Sequence, residues 1–148
     1  MYPIVLGLHN IMRWIVLIVG ILATVRAFMG WLGKRPWTDR DNKLGLYFTI
    51  SLDVQLLLGL LLYVVLSPIT TAAFSDFGAA MADPTTRFWL VEHISMMIVA
   101  VILGHVGRTL SKKATVDTKK HQRAAIFFAL ALLAILAAIP WFRPLLPF

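Results

Sequence analysis

Four long apolar stretches, separated by short charged segments, limit what this chain can fold into more than any other feature. They cover residues 4–28, 44–66, 88–107 and 124–141. An α-helix rises about 1.5 Å per residue, so roughly 20 residues cross the hydrocarbon core of a bilayer, which is about 30 Å thick. Because lipid cannot satisfy backbone polar groups, each stretch must be helical. The sequence therefore predicts an all-α integral membrane protein with four spanning helices.

The positive charges are concentrated in two of the three connections. Residues 33–43 and 108–123 together hold ten of the fourteen Lys and Arg residues, whereas the connection 67–87 holds only Arg87. The positive-inside rule then places the two basic connections in the cytoplasm and both termini outside. We therefore predict a four-helix up-down bundle that forms a single transmembrane domain over residues 1–148.

Composition narrows the function classes further. The chain is 59% hydrophobic and 14% charged, whereas a soluble domain is about a quarter charged. Its net charge of +7 is explained by basic connections that face anionic lipid headgroups, so no nucleic-acid partner is expected. The absence of cysteine excludes thiolate metal sites and covalently attached haem. No nucleophile–base set or metal-hydrolase motif supports hydrolytic chemistry.

The connection 67–87 is the longest. Apolar residues recur at near-helical spacing over residues 72–81. This pattern is compatible with a short helix lying in the membrane interface. An ordinary loop is the alternative.

Ionisable residues inside apolar spans cost free energy and therefore indicate candidate functional sites. His9 and Arg13 are four residues apart near the outer end of the first helix, so they share a face. Glu92 and His93 lie near the outer end of the third helix. His9 and His93 each lie about five residues into their helix, and in an up-down bundle these two helices run in the same direction and face each other. We expect the two imidazoles at equal depth.

Two imidazoles at equal depth on facing helices can supply the two axial ligands of one haem b, which supports electron transfer. His9 and His93 are therefore the candidate ligands of a haem iron. Arg13 and Glu92 could anchor the haem propionates or a quinone carbonyl, or they could form a structural ion pair with each other. Each His could instead make a hydrogen bond at the membrane interface.

Small and flexible residues continue the two histidine-bearing faces. They are Gly20 and Thr24 on the first helix, and Met97, Ala100 and Gly104 on the third. These residues could make room for a macrocycle. Small residues at a spacing of four are also the usual device for close helix packing in membranes.

The remaining intramembrane polar residues are weaker candidates for a site. Asp53 and Gln55 lie near the middle of the second helix, about 200° apart, so they do not share a face. Asp53 is expected to face a protein partner, either Arg13 or a neighbouring subunit, because an ionised carboxylate in hydrocarbon must be paired or protonated. His105 lies near the inner end of the third helix and His121 among basic residues, where a solvated loop His is expected.

Five segments of the chain carry a resemblance to a known family. They are Leu8–Trp14 (LHNIMRW), Gly30–Thr38 (GWLGKRPWT), Gln55–Tyr63 (QLLLGLLLY), Phe88–His93 (FWLVEH) and Ala138–Trp141 (AIPW). With these segments the chain resembles the small four-helix membrane proteins of Bacteroidetes and relatives that are labelled "cytochrome B". The resemblance implies a multi-pass protein of the bacterial inner membrane that binds haem, with His9 and His93 as candidate ligands. Relatives often have a His at the position of Asp53, where this chain departs from the pattern.

Three functions are compatible with these observations. The first is a b-type cytochrome-like electron-transfer protein, or a subunit of a respiratory complex, that binds haem b through two histidines. The second is a cofactor-free accessory or structural subunit of a membrane complex. The third is a quinone-binding membrane protein. Its partners would be the lipid bilayer and either other respiratory subunits or further copies of the chain, and whether it is an enzyme stays open.

Overall fold

The computed structural model describes residues 1–143, and the regular secondary structure in that part of the chain is helical. In chain order the helices are α1 (Tyr2–Leu32), α2 (Asp39–Leu61), α3 (Pro68–Ala73), α4 (Phe77–Ala82), α5 (Pro84–Arg87), α6 (His93–Lys113) and α7 (Asp117–Ala138). A π-helical segment, Leu62–Leu66, extends α2, and another, Phe88–Glu92, joins α5 to α6. The predicted all-α fold is confirmed for these residues.

Four helical segments are long and apolar enough to cross a membrane by length and composition. They are Tyr2–Leu32, Asp39–Leu66, Pro84–Lys113 and Asp117–Ala138. The chain is accordingly a multi-pass membrane protein. The helices differ from the apolar stretches because helix formation continues into the charged flanks, as at Asp39 and Lys113. The last helix ends at Ala138, where the coming Pro140 disfavours further helix, so the predicted end at residue 141 was too late.

The four long helices pack in the order α1, α2, α6, α7 around a closed ring. Each helix contacts its neighbours in antiparallel fashion, as the contacts of Arg26 with Asp41 near one end and of His9 with Gln55 near the other show for α1 and α2. It follows that α1 and α6 run in the same direction and lie diagonally across the bundle, as predicted. We call the end that carries the two basic connections the basic end.

Small residues let the helix backbones approach closely. A Cβ added to Gly20 would lie 2.7 Å from the Phe48 ring, and one added to Gly104 would lie 2.6 Å from the Leu52 side chain. Phe48 also packs edge-to-face on Phe128 at 5.3 Å between ring centroids. Lipid tails are as apolar as the helix surfaces, so there is no hydrophobic driving force for helices to associate within a membrane. Close van der Waals packing of this kind therefore helps to hold membrane bundles together. Gly20 and Gly104 therefore serve helix packing.

The basic end is closed by an ion pair and a buried imidazole. Arg26 Nε donates to Asp41 Oδ1 at 2.6 Å, and Asp41 also accepts from the Thr38 backbone in a capping box that starts α2. His121 is only 1% exposed and packs on the Trp37 ring at 4.8 Å. His121 was predicted to be a solvated loop residue, and this prediction was wrong. Helix α7 already begins at Asp117, so His121 is a helical residue, and its ring packs against Gly30 of α1.

The connection at the opposite end contains three short helices, α3 to α5, where the sequence allowed one helix or a loop. The hydroxyl of Ser67 accepts the Thr70 amide at the start of α3, and the carboxylate of Asp83 accepts the Thr86 amide at the start of α5. Donation from the Thr86 hydroxyl and amide holds the pKa of Asp83 below its usual value. Tyr63 Oη donates to the Leu90 carbonyl at 2.7 Å and so ties the two π-helical segments together.

Candidate functional site

His9 and His93 meet across the core of the bundle, at the end opposite the basic end. Their ring centroids lie 6.4 Å apart and the ring planes make an angle of 66°. The two residues come from α1 and α6, which are diagonal in the bundle. The two residues that depth counting paired are therefore brought together by the structure, and we call them the imidazole pair.

Each ring of the imidazole pair is oriented by a polar group on a neighbouring helix. His93 Nδ1 donates to the carbonyl oxygen of Ala138 at 2.8 Å, where the end of α7 exposes an unused carbonyl. This bond leaves the lone pair on Nε2 of His93, the arrangement that proteins use for a metal-binding His. The side-chain amide of Gln55 lies 3.2 Å from His9 Nε2, and His9 Nδ1 is buried without a hydrogen-bond partner in residues 1–143. If His9 Nε2 carries the proton and donates to this amide, the lone pair of the ring is on Nδ1.

A cavity of about 370 Å³ adjoins the imidazole pair, and most of its wall is apolar. Its size lies within the range of about 300–1,000 Å³ of sites for small molecules and cofactors. The polar wall groups include the imidazole pair, Gln55, Arg13 and Arg143. The room beside His9 comes from Gly59 of α2, where an added Cβ would lie 3.2 Å from His9 Cε1.

The two rings of the imidazole pair are separated by about the distance expected for two imidazoles that share one metal centre. With a metal–nitrogen bond of about 2 Å on each side and the ring centre about 1.1 Å beyond the nitrogen, two axial imidazoles have centroids roughly 6 Å apart. The observed separation is 6.4 Å. His9 and His93 could therefore hold one metal-centred group beside the adjoining cavity.

Arg13 lies one helical turn below His9 on α1 and lines the same cavity. The residue is 8% exposed, and its guanidinium carbon lies 5.8 Å from the centroid of the Trp14 ring. A cation in this wall stabilises negative charge in its neighbourhood. The predicted place of Arg13 beside the histidines is therefore found.

Glu92 does not join the site, although the sequence suggested it. Its carboxylate accepts from Arg87 Nε at 2.9 Å, and the two side chains are 49% and 38% exposed. The physical reason is the π-helical segment Phe88–Glu92, whose wider turn aligns residues five apart. The Arg13–Glu92 ion pair is consequently not formed, and Glu92 is not a wall residue of the cavity.

Asp53 and His105 form a second polar cluster, away from the cavity. Asp53 Oδ1 lies 2.8 Å from His105 Nε2, and the two side chains are 47% and 46% exposed on the flank between α2 and α6. Asp53 therefore pairs within the chain, but with His105 rather than Arg13. Gln55, two residues further along α2, points into the cavity, as the predicted angle of about 200° requires.

Several wall residues of the cavity were not anticipated from the sequence. Trp89 has a buried indole N–H without a hydrogen-bond partner among residues 1–143, and Arg143 lies 4.7 Å over the Trp89 ring. Gly59 provides the space beside His9. A glycine one helical turn after Gln55 was the available signal for Gly59, since both then share a face of α2.

No protein-family model, curated protein or solved structure matches this chain in the comparisons made. The class that the fold and site define is therefore a four-helix, multi-pass membrane protein with an imidazole pair beside an internal cavity.

Proposed function

We propose that this protein is a b-type cytochrome-like electron-transfer protein, or the haem-bearing subunit of a respiratory complex, in the bacterial inner membrane. The observation that carries the proposal is the imidazole pair, whose centroids lie 6.4 Å apart across the core. The resemblance of five sequence segments to membrane proteins labelled "cytochrome B" supports the same reading. In this proposal the two basic connections face the cytoplasm and both termini lie outside.

His9 and His93 would hold a haem b, which supplies one-electron transfer when bound. The Ala138 carbonyl fixes the ring of His93, and Gln55 fixes the ring of His9. The apolar wall of the cavity excludes water and lowers the local dielectric constant. Arg13 is buried in the same wall. Its positive charge would favour the reduced, less positive state of a haem bound there, and so would raise the reduction potential of that haem.

The test is an optical spectrum of the protein purified from a haem-replete host, first oxidised and then reduced with dithionite. We expect the sharp bands of a low-spin b-type haem. His9→Ala and His93→Ala should each abolish them. His105→Ala is the matched control, since this imidazole lies on the exposed flank between α2 and α6, away from the cavity. This variant should leave the spectrum unchanged.

A well-folded protein without a Soret band would overturn the proposal and leave the accessory-subunit function. The His121→Ala variant is not a suitable control, because that imidazole is buried in the packing of the basic end. Loss of haem in the His105→Ala variant alone, with His9→Ala unaffected, would assign the ligands to other residues.

A further inference from the structure

The Asp53–His105 pair is a polar group on a surface that should contact lipid. Asp53 lies fourteen residues after Asp39 and thirteen before Leu66, so it is near the middle of its spanning segment. Both side chains are nearly half exposed. Ionisable groups at this depth almost always face a bundle interior, a water-filled cavity or another protein.

The residues around the pair are apolar and exposed. Ile50 and Leu57 flank Asp53 on α2, and Ile98 and Ile102 flank His105 on α6. Residues three, four and seven apart lie on one helix face, so these side chains form one continuous surface with the pair at its centre. We call these six residues the α2–α6 face.

The pair keeps one free polar atom on each partner. Asp53 Oδ1 contacts His105 Nε2, while Asp53 Oδ2 and His105 Nδ1 have no hydrogen-bond partner in the described part of the chain. The pair therefore offers a carboxylate oxygen and a ring nitrogen side by side. When both ring nitrogens of His105 carry a proton, the free Nδ1–H is a donor and the free carboxylate oxygen is an acceptor, so the pair is complementary to a copy of itself related by a two-fold axis.

We propose that the α2–α6 face is the contact between two copies of this chain, with Asp53 and His105 of each copy hydrogen-bonded to His105 and Asp53 of the other. A two-fold axis along the membrane normal brings every residue to the depth of its own counterpart. A second copy is thus the partner that presents matching polar groups at the depth of the pair. The proposal does not depend on haem binding.

The test uses the natural absence of cysteine. Single cysteines are introduced at Leu57 and at Ile102 on the proposed face, and at Leu133 and Ile18 on α7 and α1 as controls. All four positions are more than half exposed. Because α2 of one copy would face α6 of the other, chains carrying Leu57→Cys are co-expressed with chains carrying Ile102→Cys, and Leu133→Cys chains with Ile18→Cys chains. After oxidation in native membranes, we expect disulfide-linked dimers from the first combination at least tenfold above those from the second.

A second pair of variants tests the polar contact itself. The double variant Asp53→Leu/His105→Leu, placed in both the Leu57→Cys and the Ile102→Cys chain of the co-expressed pair, should lower the yield of cross-linked dimer at least tenfold. The exchange Asp53→His/His105→Asp keeps one carboxylate and one imidazole and should restore it. Both double variants change exposed side chains only, so the core of the bundle should stay intact. Circular dichroism checks this by comparing their helical content with that of the unaltered protein.

Equal yields from the two faces, no cross-linking at any position, or cross-links only to a different protein would each overturn the proposal. An unchanged yield in the double Leu variant would also overturn it, because the apolar surface alone would then account for association.

Discussion

Gly30→Ala should strongly destabilise the basic end, because the imidazole of His121 occupies the space of the missing side chain. A Cβ built on Gly30 overlaps the Cε1, Nδ1 and Cγ atoms of that ring. The ring must move by more than about 1 Å to reach ordinary van der Waals contact. Such a movement changes the contact of His121, which is 1% exposed, with the Trp37 ring, whose centroid is 4.8 Å away.

The magnitude follows from two opposing effects. Alanine in place of glycine inside a helix stabilises by up to about 1 kcal/mol, while overpacking of a closed core costs about 1–3 kcal/mol. Gly7 is the matched control, since it lies in the same helix and an added Cβ meets no atom within 4 Å. Gly30→Ala should therefore be about 2 kcal/mol less stable than Gly7→Ala.

The assay is the free energy of unfolding in mixed micelles titrated with denaturing detergent, followed by tryptophan fluorescence. The double variant Gly30→Ala/His121→Ala should recover much of the loss, giving a coupling energy of about 2 kcal/mol between the two sites. If Gly30→Ala proved as stable as Gly7→Ala, or if the double variant recovered nothing, the packing argument would be refuted.

Three further predictions follow from the topology, the two π-helical segments and the cavity. A reporter fused at Lys113 should read cytoplasmic and one at Asp76 external, and the reverse pattern would contradict the charge argument. Tyr63→Phe removes the hydrogen bond to the Leu90 carbonyl and should lower the free energy of unfolding by about 1 kcal/mol, whereas no loss would show that the bond contributes nothing. Gly59→Leu should abolish haem binding while keeping both histidines, measured by the optical spectrum, and retained low-spin bands would disprove the role of the space beside His9.

Hydropathy was enough to predict the four long helices, and the short connections between them were enough to predict their order in space. Lipid leaves a spanning backbone no alternative to helix, and short connections make consecutive helices antiparallel neighbours. The diagonal placement of α1 and α6 then follows from connectivity. Counting residues from the ends of the spans was sufficient to pair His9 with His93, because the rise per residue of a helix is constant.

The pairing of Asp53 with His105 was beyond the same reasoning. Depth counting fixes position along a helix, whereas this pair depends on how far each helix is rotated about its axis. Glu92 was placed beside the histidines for a related reason. A π-helical segment changes the angle per residue, and the sequence of such a segment carries no clear signal. His121 was misassigned because charged neighbours suggested a loop, although a helix can carry charges on one face while burying another.

The two polar clusters divide α2 between two tasks. Gln55 faces inward and orients His9, whereas Asp53, two residues away, faces outward beside His105. A helix turns about 200° over two residues, so these side chains share no face. Substitution of Asp53 therefore leaves the wall of the cavity unchanged, and substitution of the imidazole pair leaves the α2–α6 face unchanged. In a dimer built on this face, each cavity would keep its own imidazole pair and would lie inside its own bundle. Association would then bring two complete sites into one assembly instead of building one site from two halves.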